Sequence, residues 1–383
     1  MSTYARLPLV FEKGEGVYLY DDQGKKYLDF VAGIAVNCLG YAYPSFIQAI
    51  TEQLQKMNHV SNLYWNKPSV ELAEMLVKYS GLDQVFFCNS GAEAVESALK
   101  LSRIYSEKNK SKDCYEIIAM NKSFHGRTMG ALSLTGQQKY HENLVPLLPT
   151  VKRVDFNALE QLKSQITDKT SAIILEPIQG EGGINPVDIP YLETVRKICD
   201  EQDIVLIFDE VQTGIGRTGT LFAYQQLGLV PDIVTFAKGL GNGIPIGGII
   251  AKEKFSKEFT PGTHASTFGG NPIATTAGKV VLSELMEKGL LDSIQEKGEH
   301  LRKALEEIQN TFDIVVDVRG KGLLQGIEVT LPVGEIVNKA IEKGLLLVPS
   351  GTHVIRFIPP LIITKEEIDE GIAILKDVLQ EIK

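Results

Sequence analysis

Six short apolar runs recur between Val85 and Ala251, each four residues long and nearly free of polar side chains. They are Val85–Cys88, Ile117–Met120, Ala172–Leu175, Val205–Phe208, Ile233–Phe236 and Gly248–Ala251. A strand with one wet face alternates apolar and polar residues, whereas a strand covered on both faces has no need to. Helical spacing follows the first run, where Ala94, Ala98, Leu101 and Tyr105 share one face. The pattern predicts an α/β fold with a largely parallel sheet covered by helices.

The flanking regions differ. Val17–Tyr20 and Tyr27–Phe30 surround Asp21-Asp22-Gln23-Gly24, which reads as a β-hairpin. After Leu290 a charged helix runs to about Asn310. Apolar runs at Ile314–Val316, Leu323–Ile327, Leu345–Val348 and Val354–Phe357 come next, then a last helix from Thr364. We expect an N-terminal segment over residues 1–45 that packs with a small domain. A large domain is expected over 46–285 and a small α+β domain over 286–383. At 383 residues and 44% hydrophobic content, the chain can bury a core of that size.

The net charge of -9 argues against a nucleic-acid binder, which needs a basic stripe. The basic run Lys108–Lys112 is short and reads as a solvated loop. Four cysteines form no CxxC pair and are expected as reduced thiols, and the six histidines lack metal-like spacing. Met1–Arg6 is not the start of an apolar leader, and no run approaches membrane-spanning length. The expectation is a soluble cytoplasmic protein with no metal, nucleic-acid or membrane partner.

Polar residues stand at the C-terminal ends of the apolar runs, where open α/β sheets place ligands. Leu175 is followed by Glu176-Pro177, Phe208 by Asp209-Glu210-Val211-Gln212, and Phe236 by Ala237-Lys238-Gly239. An acid, a lysine and glycine-rich turns thus gather on one edge. Pyridoxal-phosphate chemistry needs that set: a lysine to condense with the cofactor aldehyde and later carry a proton, and an acid to keep the pyridine nitrogen protonated. Lys238 and Asp209 fit the two roles. A lone strand-end lysine is usually a snorkelling surface residue. Here the flanking glycines, Gly239 and Gly241-Asn242-Gly243, point to crowding against a ligand. Asn89-Ser90-Gly91-Ala92-Glu93 joins a strand to a helix with capping-box spacing, and its free N–H groups suit a phosphate. No GxGxxG follows the first strand, which counts against a nicotinamide site. In Ser123-Phe124-His125-Gly126-Arg127-Thr128 the aromatic can stack on a flat ring, and the arginine can fork onto a carboxylate.

With these segments placed, the sequence resembles the class III aminotransferases of pyridoxal-phosphate fold type I. The carrying stretch is Leu206–Gly219, with Pro231-Asp232-Ile233 and Ala237-Lys238-Gly239-Leu240 after it. The resemblance implies a large domain with a mainly parallel seven-stranded sheet, a smaller α+β domain, and a homodimer with shared active sites. It implies an amino donor and 2-oxoglutarate as reactants. The implied cofactor contacts are Ser90, Gly91, Ala92, Phe124, Asp209, Glu210, Val211, Gln212, Lys238 and Thr267. Phe124 and Val211 flank the ring, Gln212 reaches the ring oxygen, and Thr267 serves the phosphate of the neighbouring subunit. Arg127, Glu181, Ser266 and Arg356 are the implied substrate contacts. Arg356 takes the α-carboxylate of glutamate, and Glu181 neutralises Arg356 when glutamate is absent. Glu176 and Arg217 match the class too and are given structural roles.

Four segments, Tyr4–Pro8, Gly14–Asp21, Leu28–Asn37 and Ser61–Tyr64, are similar to the branch that works on the terminal amine of an acylated ornithine. The branch for free ornithine carries a tyrosine where this chain has Ala32-Gly33-Ile34. A related branch takes succinyl-diaminopimelate. A pyridoxal-phosphate-binding regulator without turnover is the rival of another class, and the chain has no basic extension for such a role. One departure stands out: the class usually has Gly-His-x-His-Pro where this chain has Gly40-Tyr41-Ala42-Tyr43-Pro44. Altered packing with little effect on chemistry is expected there.

Overall fold

The computed structural model describes residues 1–382. A seven-stranded sheet forms its centre, ordered Gln84–Cys88, Gly247–Ala251, Ile233–Phe236, Val205–Asp209, Thr170–Leu175, Glu116–Met120 and Val151–Val154. Gly247–Ala251 runs antiparallel to both neighbours, and the other pairings are parallel. Along the inner strands, successive side chains enter two different cores. Leu206, Phe208, Ile173 and Leu175 join one apolar cluster, while Val205, Ile207, Ala172 and Ile174 join another on the opposite face. Both faces are dry, so both register positions carry mainly apolar side chains.

The edge strand Val151–Val154 is not one of the predicted runs. Its sequence is VKRV, with Lys152 and Arg153 only partly buried, so no continuous apolar signal marks it. The antiparallel direction of Gly247–Ala251 likewise has no signature in its residues.

Beyond the large sheet, a second sheet pairs Val315–Lys321, Leu324–Val329, Val354–Phe357 and Val348–Pro349 in antiparallel fashion. The helices Leu290–Thr311 and Lys365–Glu381 pack against one another beside it. The N-terminal strands Phe11–Glu15, Tyr18–Asp21 and Lys26–Asp29 form a third sheet, and Leu345–Leu346 adds to it parallel to Lys26–Asp29. The single apolar run Leu345–Val348 is therefore divided between two sheets. Among the described residues no helix is long and apolar enough to cross a membrane.

Candidate active site

The C-terminal ends of four parallel strands open onto a cavity of about 400 Å³. Glu176, Asp209 and Lys238 follow or end three of those strands and line it, with Phe124, His125, Arg127, Val211 and Gln212 on adjoining loops. Strand-end residues converge there because parallel strands deliver all their C-termini to one edge.

Asp209 is buried and held from three sides. Its Oδ1 accepts from Thr235 Oγ1 at 2.9 Å and from Val211 N–H at 3.1 Å, and its Oδ2 lies 2.7 Å from His125 Nδ1. Burial alone would lower the His125 pKa, but the bond to Asp209 and its charge override that and raise it. Sequence patterning assigns His125 no role, although it lies beside Phe124. Its partner is 84 residues away, and only the fold joins them.

Lys238 adopts φ +44°, a left-handed conformation at the start of a tight turn. Burial pushes its amine below the ordinary lysine value; the Glu181 charge opposes that shift and Arg356 adds to it. A lysine so placed gives up its proton more readily and becomes a nucleophile.

At the other end of the cavity, Ser90 caps the helix Gly91–Asn109. Ser90 Oγ accepts from Glu93 N–H at 3.2 Å, and its carbonyl accepts from Ala94 N–H. Gly91 and Ala92 are left without intrahelical acceptors at the cavity wall. Glu93 completes no reciprocal box with Ser90: its carboxylate reaches back to Asn89 N–H at 2.7 Å instead. A Cβ on Gly91 would lie 2.7 Å from Val211 Cγ1, so glycine is required for the helix start to sit against that side chain.

Gln212 connects the cavity to an ion pair behind it. Arg356 is 1% exposed, and its Nη1 donates to Glu181 Oε1 at 2.5 Å, Gln212 Oε1 at 2.8 Å and the Gly180 carbonyl at 2.9 Å. All three bonds use one nitrogen, and the buried Nε has no acceptor among the described residues. Burial favours a protonated Glu181, but Arg356 outweighs it and holds the carboxyl below its ordinary value. Arg127 sits at the mouth, 3.8 Å over the Tyr140 ring.

One contact expected in this cavity, Glu210, lies elsewhere, and Ser266 and Thr267, expected at the site of the neighbouring subunit, line a cleft of their own. Glu210 turns away from the cavity: its carboxylate accepts from Ala223 N–H, Tyr224 N–H and Thr213 Oγ1, fixing the loop after it. It is fully buried, and three donors on that loop outcompete any group in the cavity. Ser266 and Thr267 line a separate cleft with Asn62 and Phe87, where Ser266 Oγ accepts from Asn89 Nδ2 at 3.2 Å. Glu176 does line the cavity, and its carboxylate accepts from Phe124 N–H and Gly180 N–H. It braces two loops, the structural role expected of it. Arg217 is likewise structural, donating to the Leu323 and Pro359 carbonyls.

The family model for Aminotransferase class-III matches residues 2–379, and the chain belongs to that class, whose members work with pyridoxal 5'-phosphate. An acetylornithine aminotransferase of Caldanaerobacter subterraneus subsp. tengcongensis is 53% identical over 384 residues, covering 100% of this chain and 98% of that one. The solved N-acetylornithine aminotransferase of Stenotrophomonas maltophilia aligns with a TM-score of 0.87 at 36% identity, over 99% of this chain and 98% of that one. The ornithine aminotransferase of Toxoplasma gondii aligns at 0.95 with 32% identity, over 100% of this chain and 92% of that one.

The residues present fit the class cofactor. Unpaired N–H groups at a helix start suit its phosphate, a fixed carboxylate suits its ring nitrogen, and a buried lysine suits its aldehyde. When bound, pyridoxal phosphate supplies an aldehyde that takes up an amine and a ring that withdraws electrons from it.

Proposed function

We propose that this chain transfers the terminal amino group of N2-acetyl-L-ornithine to 2-oxoglutarate, reversibly, giving N-acetyl-L-glutamate 5-semialdehyde and L-glutamate. That is a step of arginine biosynthesis, and we place it in the cytoplasm, carried out by a homodimer. Lys238 moves the proton, Asp209 holds charge at the ring nitrogen, and Gly91 with Ala92 holds the phosphate. Phe124 and Val211 confine the ring.

The observation that carries the reading is the unpaired Nε of buried Arg356 beside a more exposed carboxylate partner. Glutamate reacts at its α-amine, so its α-carboxylate needs a cation close to the reacting carbon. The acylated donor reacts at its terminal amine and brings only hydrogens to that place. A bare arginine would favour glutamate and penalise the other donor. Glu181 neutralises Arg356 for one reactant, and it can swing aside for the other because Gly180, Gly182 and Gly183 surround it. Arg356 can then offer Nε and a terminal nitrogen to a carboxylate in parallel.

The Toxoplasma structure aligns with a higher TM-score than the Stenotrophomonas one, but backbone shape is shared across the class, and side chains decide the donor. Identity above 50% over the full length supports the acetylated donor. The test compares N-acetylornithine, ornithine, succinyl-diaminopimelate and 4-aminobutyrate as donors at matched concentration, with 2-oxoglutarate as acceptor. The highest kcat/KM for N-acetylornithine is expected; a higher value for free ornithine overturns the assignment.

A further inference from the structure

Between the strand Lys26–Asp29 and the helix Pro44–Lys56, the chain makes a turn of the unusual hand. Ala32, Gly33, Ile34 and Ala35 have φ of +48°, +60°, +65° and +60°. Glycine takes this conformation freely; alanine does so at a cost, and a β-branched isoleucine is an outlier there. Such a turn persists only where its surroundings over-determine it.

Asp29 supplies that restraint. Its Oδ1 accepts from the N–H groups of Val31 at 2.8 Å and Ala32 at 2.9 Å, pinning the entry to the turn. Its Oδ2 accepts from the Tyr41 hydroxyl at 2.7 Å, and Asn37 Nδ2 donates to that hydroxyl at 3.2 Å. Tyr41 is itself seated firmly. Its backbone exchanges hydrogen bonds with Gly16, and a Cβ on Gly14 would come within 2.5 Å of its Cγ. Burial, and then the Asp29 charge, push the phenol above its ordinary value, so it remains a donor at neutral pH.

The turn leads directly into the active-site wall. Val36 forms part of that wall. Cys38 Sγ donates to the Gly239 carbonyl at 2.9 Å, and Leu39 N–H donates to Asn242 Oδ1 at 2.8 Å, so the same segment is stitched to the turn that carries Lys238. The groups suited to the cofactor phosphate and ring nitrogen sit on other segments. Loosening this wall therefore acts first on the fit of the amino donor.

We propose that Tyr41 is a positioning residue for the amino donor, fixing Asp29 and thereby the left-handed turn that sets the Val36 wall. The effect on the donor rests on reading the cavity as the aminotransferase site; the hold on the turn does not. Tyr43 provides a matched control two residues away. Its hydroxyl donates to Glu284 Oε2 at 2.9 Å, a carboxylate also held by Ser45 and Lys288 and unconnected to the cavity.

The experiment compares Tyr41→Phe with Tyr43→Phe by two readouts. Hydrogen exchange on the cofactor-free protein should show the Val31 and Ala32 amides exchanging about tenfold faster or more in Tyr41→Phe, and unchanged in Tyr43→Phe. In the loaded enzyme, Tyr41→Phe should raise KM for the donor about tenfold, with kcat and cofactor affinity within about threefold of wild type. Tyr43→Phe should lower the melting temperature without that split. If Tyr41→Phe does not fold, Gly14→Ala pushes the Tyr41 ring aside and carries its hydroxyl away from Asp29, and it should show the same pattern. Wild-type exchange in the Tyr41 variant, or equal KM effects in the two tyrosine variants, overturns the proposal. An enzyme inactive with every donor refutes the reading of the cavity, while exchange still decides whether Tyr41 holds the turn.

Discussion

Arg356 and Glu181 meet at 2.5 Å, 175 residues apart in sequence, with Gln212 bonded to both. The arginine is buried and the glutamate is its more exposed partner, with a side chain 23% exposed. Breaking the pair by moving Glu181 therefore costs less than moving Arg356.

The two residues should have opposite effects on the two half-reactions. Glu181→Ala leaves Arg356 unpaired, so the half-reaction with glutamate should hold or improve while that with acetylornithine falls. Arg356→Ala should harm glutamate most, by about 2–5 kcal/mol for a desolvated charge pair. Stopped-flow measurement with each donor separately reads this out. Similar slowing of both donors by both variants would show that the pair is not a switch.

Lys238→Ala should still bind pyridoxal phosphate through the helix start, yet lose at least roughly 100-fold in turnover with the proton carrier gone. Borohydride reduction of the loaded wild type should attach the cofactor to Lys238, as peptide mapping would reveal; label on another lysine sinks the assignment. Asp209→Asn should also lose roughly 100-fold or more, because an amide cannot hold charge at the ring nitrogen as a carboxylate does.

His125 should prove to be a positioning residue for Asp209. His125→Phe keeps a ring in the buried site but removes the 2.7 Å contact. Losing a hydrogen bond to a charged group should cost about 10–100-fold in kcat, with KM for the donor little changed. A wild-type kcat would show that Thr235 and Val211 suffice to hold the carboxylate.

The only tryptophan in the sequence, Trp65, is 91% exposed in the isolated chain, as are its neighbours Leu63 at 84% and Tyr64 at 67%. A cluster of that kind suits an interface. If the protein is the homodimer proposed above with this cluster at its interface, tryptophan emission should shift to the red on dilution to monomer. Mixed dimers of Lys238→Ala with a Thr267 variant should regain activity if Thr267 serves the neighbouring subunit's site. Confirmed hybrids without recovery would place Thr267 at its own.

The pH dependence of stability provides a further check. Burial, opposed by His125 and reinforced by Asp209, pushes the Glu176 carboxyl up to about 7 from an ordinary 4.5. The folded state thus keeps a proton that the unfolded state has released. The resulting stabilisation is fully present below pH 4.5 and is lost as pH rises through about 7. Urea titrations of the cofactor-free protein should show Glu176→Gln removing a slope of about 1.4 kcal/mol per pH unit across that window. An unchanged slope would mean that Glu176 is ionised throughout.

The runs from Val85 to Ala251 determined a double-covered sheet, because only strands buried on both faces can omit polar positions. The same local logic placed Asp209 and Lys238 on one edge, since parallel strands end together. Contacts across the chain are not encoded by short-range periodicity. The family resemblance implied that Glu181 meets Arg356, but nothing in the sequence pointed to His125 meeting Asp209 or Tyr41 meeting Asp29. Glu210 shows the converse: the resemblance implied a cofactor contact, and three donors on its own loop turned it away. Spacing along a strand fixes which edge a residue reaches. The direction of its side chain is decided by which buried donors and acceptors must be satisfied, and only the packed structure brings those together.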